Sequence, residues 1–197
     1  GLAFYPGHVK AADPVGAVTL MTAESILRAA LATLDRIGMK AAIVSGGSTP
    51  AMAYSHWLPS LNEIRPGTYI FNDRNTVLSG ACTWDDCAAS ILTTVVSTSV
   101  SGRVILDGGS KTFSSDRAAE PGFGRIVEAP EAFFEKMNEE HGFVSIATSR
   151  HKWKVGEKVR VIPNHICVAV NLHERIYGCR GEEVVEIWEV EGRGKLQ

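Results

Sequence analysis

The chain has 197 residues, with 20 Lys+Arg against 22 Asp+Glu, 45% apolar and 21% charged residues. This is a globular mix, and it excludes a disordered tail, a collagen-like chain and a small disulfide scaffold. The formal net charge of −2 gives no electrostatic case for binding nucleic acid or an anionic membrane, and the length allows one large domain or two small ones.

The first half alternates short apolar strands with helical stretches. Leu2–Tyr5 reads as a strand ending at Pro6-Gly7-His8. Met21–Ile37 reads as a helix, with Ile26, Leu27, Ala30, Leu31, Leu34 and Ile37 on one apolar stripe, Thr22 at the N-cap and Gly38 at C′. Ala41–Ser45 reads as a buried strand. Gly46-Gly47-Ser48-Thr49-Pro50 then leads into a short helix from Pro50, and Thr68–Asn72 reads as a further strand. This rhythm predicts an α/β arrangement with a parallel sheet.

The second half reads as an antiparallel β unit. Its strands are predicted at residues 88–100, 103–106, 124–127, 143–148, 158–162, 166–170 and 184–190, and its one helix at Ala132–Glu140. The boundary falls near Val77–Asp86, which gives residues 1–80 and 81–197 as the two parts. No apolar run reaches the ~20 residues needed to span a bilayer; the longest, residues 91–100, is broken by Thr and Ser. The start has no basic segment followed by a cleavable apolar one, so no signal peptide is expected. Gly1 opens directly into strand-like sequence, which predicts a piece of something longer. Four cysteines, Cys82, Cys87, Cys167 and Cys179, are too few for a staple framework. They predict reduced thiols in a cytoplasmic protein, or a metal site.

Four features are candidates for chemistry. Between a buried strand and a helix start, Gly46 and Gly47 let backbone N–H groups approach an anion, and Ser48 and Thr49 add hydroxyl donors, the recipe for holding a phosphate. The competing reading is a flexible turn with Thr49 as N-cap. In Pro163-Asn164-His165-Ile166-Cys167, imidazole and thiolate at i and i+2 of an extended segment share one face, and both are zinc ligands. The competing reading is a buried Cys beside a surface His. A four-ligand structural site recruiting His173 and Cys179 is a further option. His8 and Asp73 follow strands at the end where barrels of parallel strands carry their chemistry. Lys111, in Leu106–Asp116, reads as a loop residue, and Glu139-Glu140-His141-Gly142 as the end of a helix.

These stretches together resemble the C-terminal half of the D-threonine aldolase and D-serine dehydratase-like proteins, fold-type III pyridoxal-phosphate enzymes related to alanine racemase. The resemblance is carried by Gly1–His8, Val44–Thr49 (VSGGST), Arg65–Asn75 (RPGTYIFNDRN), Leu106–Asp116 (LDGGSKTFSSD), Gly122–Ile126 (GFGRI), Glu139–Gly142 (EEHG) and Lys154–Lys195.

The resemblance implies the later βα units of a TIM-like α/β barrel followed by an antiparallel β domain. It implies that Gly46, Gly47, Ser48 and Thr49 surround the phosphate of pyridoxal phosphate, and that Tyr69 and Asp73 close the far side of that site. His165 and Cys167 match the family's metal pair, with zinc favoured and manganese or magnesium as alternatives. His8 would contact the substrate hydroxyl as the catalytic group. A His-x-Cys pair resembles the dehydratase type, a His-x-Asp pair the aldolase type. The family's Schiff-base lysine belongs to a strand preceding Gly1, and no residue of this chain matches it. The expected activity is a metal-assisted lyase for 3-hydroxy D-amino acids in a cytoplasmic homodimer. The alternatives are a non-catalytic zinc-binding or assembly module and, below that, an amino-acid racemase.

Overall fold

The computed structural model describes residues 1–7, 9 and 14–195. Two compact units divide the chain: Gly1–Ile70 with Thr76–Asp86, and Phe71–Asn75 with Cys87–Gln197.

In the first unit β1 (Leu2–Ala3), β2 (Val44–Gly46) and β3 (Glu63–Ile64) form a parallel sheet in that order. This is what the described residues show of the expected α/β barrel; a closed parallel barrel is not among them. The third strand lies earlier than Thr68–Asn72, where a 3-10 turn over Thr68–Ile70 stands instead. Asn62 explains the shift. Its Oδ1 accepts from the Val44 N–H at 2.8 Å and its Nδ2 donates to Ala42 O at 2.9 Å, pinning the preceding residues to β2. Pro66, lacking an N–H, then stops the ladder.

Helix α1 (Pro14–Arg36) begins well before the expected Met21, and Thr22 is not its cap: the Thr22 hydroxyl donates to Val18 O one turn back. The buried face is Gly16, Leu20, Ala23, Glu24 and Leu27, with Leu20 packed among Val9, Ala51 and Leu58. Of the predicted stripe Leu27 is inside, whereas Ile26 is 66% exposed and Ile37 65%. The helix is apolar on more than one side, and periodicity alone does not choose between two apolar faces. Gly38 does end the helix in the left-handed region, at φ 74°. By length and composition α1 is also long and apolar enough to cross a membrane, which corrects the count made on the sequence. An apolar groove of about 480 Å³ runs between β1 and α1, lined by Leu2, Phe4, Val18, Ala23, Ile26 and Leu27 among others.

The second unit is a six-stranded antiparallel sheet in the order β6-β9-β4-β5-β8-β7, built from β4 (Ile91–Ser97), β5 (Arg103–Leu106), β6 (Gly124–Ile126), β7 (Phe133–Met137), β8 (Gly142–Ser145) and β9 (Lys158–Pro163). The Phe123 N–H donates to Phe134 O at 3.1 Å, so the two edge strands approach and the sheet nearly closes into a barrel. Alternation sends Val95, Val104, Leu106, Ile126, Phe134, Val144, Val159 and Val161 into one core. A hairpin of β10 (Arg175–Arg180) and β11 (Glu183–Glu189) forms a separate two-stranded sheet.

Two elements differ in type from the sequence reading. Ala132–Glu140 contains strand β7, not a helix, and Glu139–Gly142 is the turn into β8, closed by the Asn138 N–H on His141 O at 3.0 Å. Residues 166–170, expected as a strand, form helix α4 (Ile166–Leu172), which follows the short helices α2 (Arg74–Leu78) and α3 (Ser110–Phe113) in the chain. The two differing segments are short apolar runs whose type is set by tertiary partners.

Candidate functional site

In the first unit β2 delivers Ser45 and Gly46 to the head of the glycine loop. The Arg65 N–H donates to Gly46 O at 2.9 Å. The Arg65 guanidinium also donates to the Ser45 hydroxyl, which donates in turn to Glu63. Gly47 follows at φ 89°, a left-handed backbone that suits glycine. Ser48 is buried, and its Oγ has no hydrogen-bond partner. Thr49 Oγ1 accepts from the Tyr69 N–H at 3.2 Å, which ties the loop to the 3-10 turn that carries Tyr69. The tyrosine side chain itself is exposed. No α-helix follows Pro50: Met52–Trp57 is a six-residue 3-10 turn, so the helix-dipole contribution expected from the sequence is absent. The observation that bears on an anion is instead the buried Ser48 hydroxyl. A buried hydroxyl without a partner costs roughly 1–3 kcal/mol, and a phosphate oxygen is the acceptor it lacks. The loop therefore fits the phosphate group of a cofactor.

In the second unit the two expected ligands, His165 and Cys167, come together by a route the sequence reading did not foresee. His165 has extended backbone, at φ −137° and ψ 110°, and α4 begins at the next residue, so Cys167 lies in the first helical turn rather than along a strand. Imidazole and thiol nonetheless converge. The thiol hydrogen-bonds the imidazole, and this is the second largest influence on the His165 pKa. The largest is Asp73. Its carboxylate is wholly buried, at 0% exposure, and Oδ2 accepts from His165 Nδ1 at 3.0 Å and from the Ile166 N–H at 3.0 Å. Asp73 thus satisfies an orphan donor of the first turn of α4 and orients the imidazole. Asp73, then Cys167, outweigh desolvation and push the His165 pKa up to about 10.

That pKa keeps the ligand-free ring protonated on both nitrogens; a cation would displace the proton of the nitrogen Asp73 does not hold, and a carboxylate on Nδ1–H is the usual support behind a metal-ligating imidazole. Nitrogen and sulfur donors together suit zinc. Among the described residues there is no group of three or more His, Cys, Asp or Glu that could hold a metal ion, so the four-ligand site with His173 and Cys179 does not form. His173 Nδ1 instead contacts Ala169 O at 2.7 Å and Cys179 is exposed on β10. Lys111, expected in a loop, lies in the short helix Ser110–Phe113 and pairs with Glu140 at 2.5 Å on the exposed surface. His8, expected to touch substrate, lies outside the described residues.

Residues missed by the motif reading surround this pair. Arg74 and Asn164 are both buried, and Arg74 donates to Asn164 Oδ1 at 3.0 Å. They adjoin Asp73 and His165 in sequence, which was the only signal available.

Comparison with known proteins agrees with this architecture. Residues 88–179 match the family model described as "Putative serine dehydratase domain". An uncharacterized protein of Mycobacterium tuberculosis is 34% identical over 131 residues, covering 64% of this chain and 98% of that one. The D-threo-3-hydroxyaspartate dehydratase of Delftia sp. is 27% identical over 173 residues, covering 79% of this chain and 46% of that one. Its fold superposes with a TM-score of 0.79, and its solved forms include one histidine-to-alanine variant and one cysteine-to-alanine variant two positions further on, the latter metal-free. The crystal structure of D-threonine aldolase from Filomicrobium marinum matches with a TM-score of 0.83 and 25% identity, over 100% of this chain and 54% of that one. The chain spans about half the length of these two enzymes.

The fold is thus that of the C-terminal portion of amino-acid lyases. The chain belongs to the family of D-threonine aldolase- and D-serine dehydratase-like proteins.

Proposed function

We propose that this chain is the cofactor-phosphate and metal-holding region of a pyridoxal-phosphate lyase acting on 3-hydroxy D-amino acids. The observation that carries the reading is His165 and Cys167 converging, with Asp73 behind the imidazole. Ser48, Thr49 and the Gly46–Gly47 backbone would hold the cofactor phosphate. When bound, pyridoxal phosphate supplies an electron sink for charge developing at the substrate Cα. A divalent cation on His165 and Cys167 supplies a Lewis acid for the substrate β-hydroxyl. Asp73 keeps the His165 ring in one orientation and tautomer. Two protein ligands leave coordination positions for the substrate hydroxyl and water. The relatives named for 3-hydroxyaspartate and threonine both act on β-hydroxy amino acids, which is the substrate feature such a cation would recognise. The cysteine in the pair favours zinc.

The test is to load the full-length protein with pyridoxal phosphate and zinc, then add D-threonine, D-serine or D-threo-3-hydroxyaspartate. Ammonia with pyruvate from D-serine, 2-oxobutanoate from D-threonine or oxaloacetate from D-threo-3-hydroxyaspartate identifies the dehydratase; glycine with an aldehyde identifies the aldolase. Absence of both, in protein that demonstrably binds the cofactor, overturns the lyase reading.

A further inference from the structure

Two consecutive residues of one segment grip two consecutive residues of another. Asp73 holds His165 and, beside it, Arg74 holds Asn164; the Asn75 N–H adds a bond to Asn164 O at 3.2 Å. Asn164 is 1% exposed and its carboxamide is fully engaged. Oδ1 accepts from Arg74, and Nδ2 donates to Asp116 O at 2.9 Å and to Gly122 O at 2.8 Å. Arg74 donates as well to Glu120 O at 3.2 Å and to Pro121 O at 2.7 Å. Its nearest carboxylate, on exposed Glu120, is 3.6 Å away.

A guanidinium buried chiefly against neutral carbonyls is costly, and an apolar pair of equal volume would serve stability as well or better. What the polar pair adds is direction. The carboxamide anchors the side chain just before His165 and the Asn75 N–H holds the Asn164 carbonyl, and so the peptide plane between them, while the Asp73 carboxylate fixes the ring. With both ends held, the imidazole keeps the orientation at which it meets Cys167. We propose that Arg74 and Asn164 are positioning residues for the metal pair, setting its affinity for a divalent cation without touching that cation. This rests on the metal assignment made above.

The experiment measures zinc affinity of the full-length protein by competition with a chelator, together with the absorption spectrum of its cobalt(II) form. Asn164→Ala and Arg74→Met are each expected to weaken zinc binding about 10- to 100-fold, the usual effect of losing outer support at a metal site, and to shift the cobalt bands. The double variant is expected to lose no more than either single one. Val104→Ala, a buried core truncation on β5 outside this network, is expected to lower stability yet leave affinity and spectrum unchanged. If Asn164→Ala does not fold, Arg74→Lys, which keeps the charge and loses the fork, carries the same expectation in weaker form. Wild-type affinity and spectrum in the folded Arg74 and Asn164 variants overturn the positioning role alone. Failure of the unaltered protein to bind zinc or cobalt overturns the metal assignment and this proposal together.

Discussion

The hydroxyl of Ser48 is buried without a partner, while the carboxylate of Asp73 is buried with two donors on one oxygen. The two sites answer substitution in opposite ways. Ser48→Ala removes an unsatisfied group, so the ligand-free protein is expected to be about 1 kcal/mol more stable. Its affinity for pyridoxal phosphate is expected to fall about tenfold, and calorimetry with a binding titration measures both. Asp73→Asn removes the largest influence on His165, so the imidazole pKa is expected to drop from about 10 towards its ordinary 6.5, as read by NMR titration of metal-free protein. The sign of the linked stability follows. Because folding raises this pKa, the Asp73–His165 pair contributes fully below pH 6.5 and its contribution is lost as pH rises through about 10. Wild-type protein is expected to show that alkaline loss and Asp73→Asn to lack it.

At the scale of elements, β7 is the sharpest case. A helix over residues 132–140 would not separate Phe133 from Phe134 as the strand does, one 45% exposed and the other 1%. Phe134 stacks edge-on against Phe113, with centroids 5.2 Å apart, and helps close the barrel. Phe134→Ala is expected to cost about 3–5 kcal/mol, and Phe133→Ala under about 1 kcal/mol, by urea denaturation; equal costs would contradict the strand register. Helix α4 makes the complementary point. Its sequence, Ile166-Cys167-Val168-Ala169-Val170, favours a strand by composition, yet the Asp73 carboxylate caps its first turn from 93 residues away in sequence. No local pattern contains that contact.

For the whole molecule, the Gly46–Thr49 loop belongs to one compact unit and the His165–Cys167 pair to the other. Zinc at a hundred times its Kd adds about 2.7 kcal/mol to whatever it binds. Hydrogen exchange is expected to show the added protection in β4, β9 and α4, with inorganic phosphate protecting β2 and the glycine loop instead. Protection of α1 by zinc with none in α4 would contradict the assignment. Much of this division was legible in the sequence. Gly46–Thr49 and His165-x-Cys167 stood out by residue type, and it was the resemblance over nearly the whole chain that set them above a flexible turn and a Cys beside a surface His. The β-branched runs at 91–97, 103–106 and 158–163 carried their strand character in local alternation. The composition and order of residues thus determined the family, the β nature of the second half and the identity of the candidate ligands, because those depend on side-chain chemistry and short-range period. Only the tertiary structure decided which face of α1 is buried, that 133–137 is a strand and 166–172 a helix, and that Asp73, Arg74 and Asn164 stand behind His165. Those outcomes rest on burial and on hydrogen bonds between residues about ninety positions apart, which no local window of sequence contains.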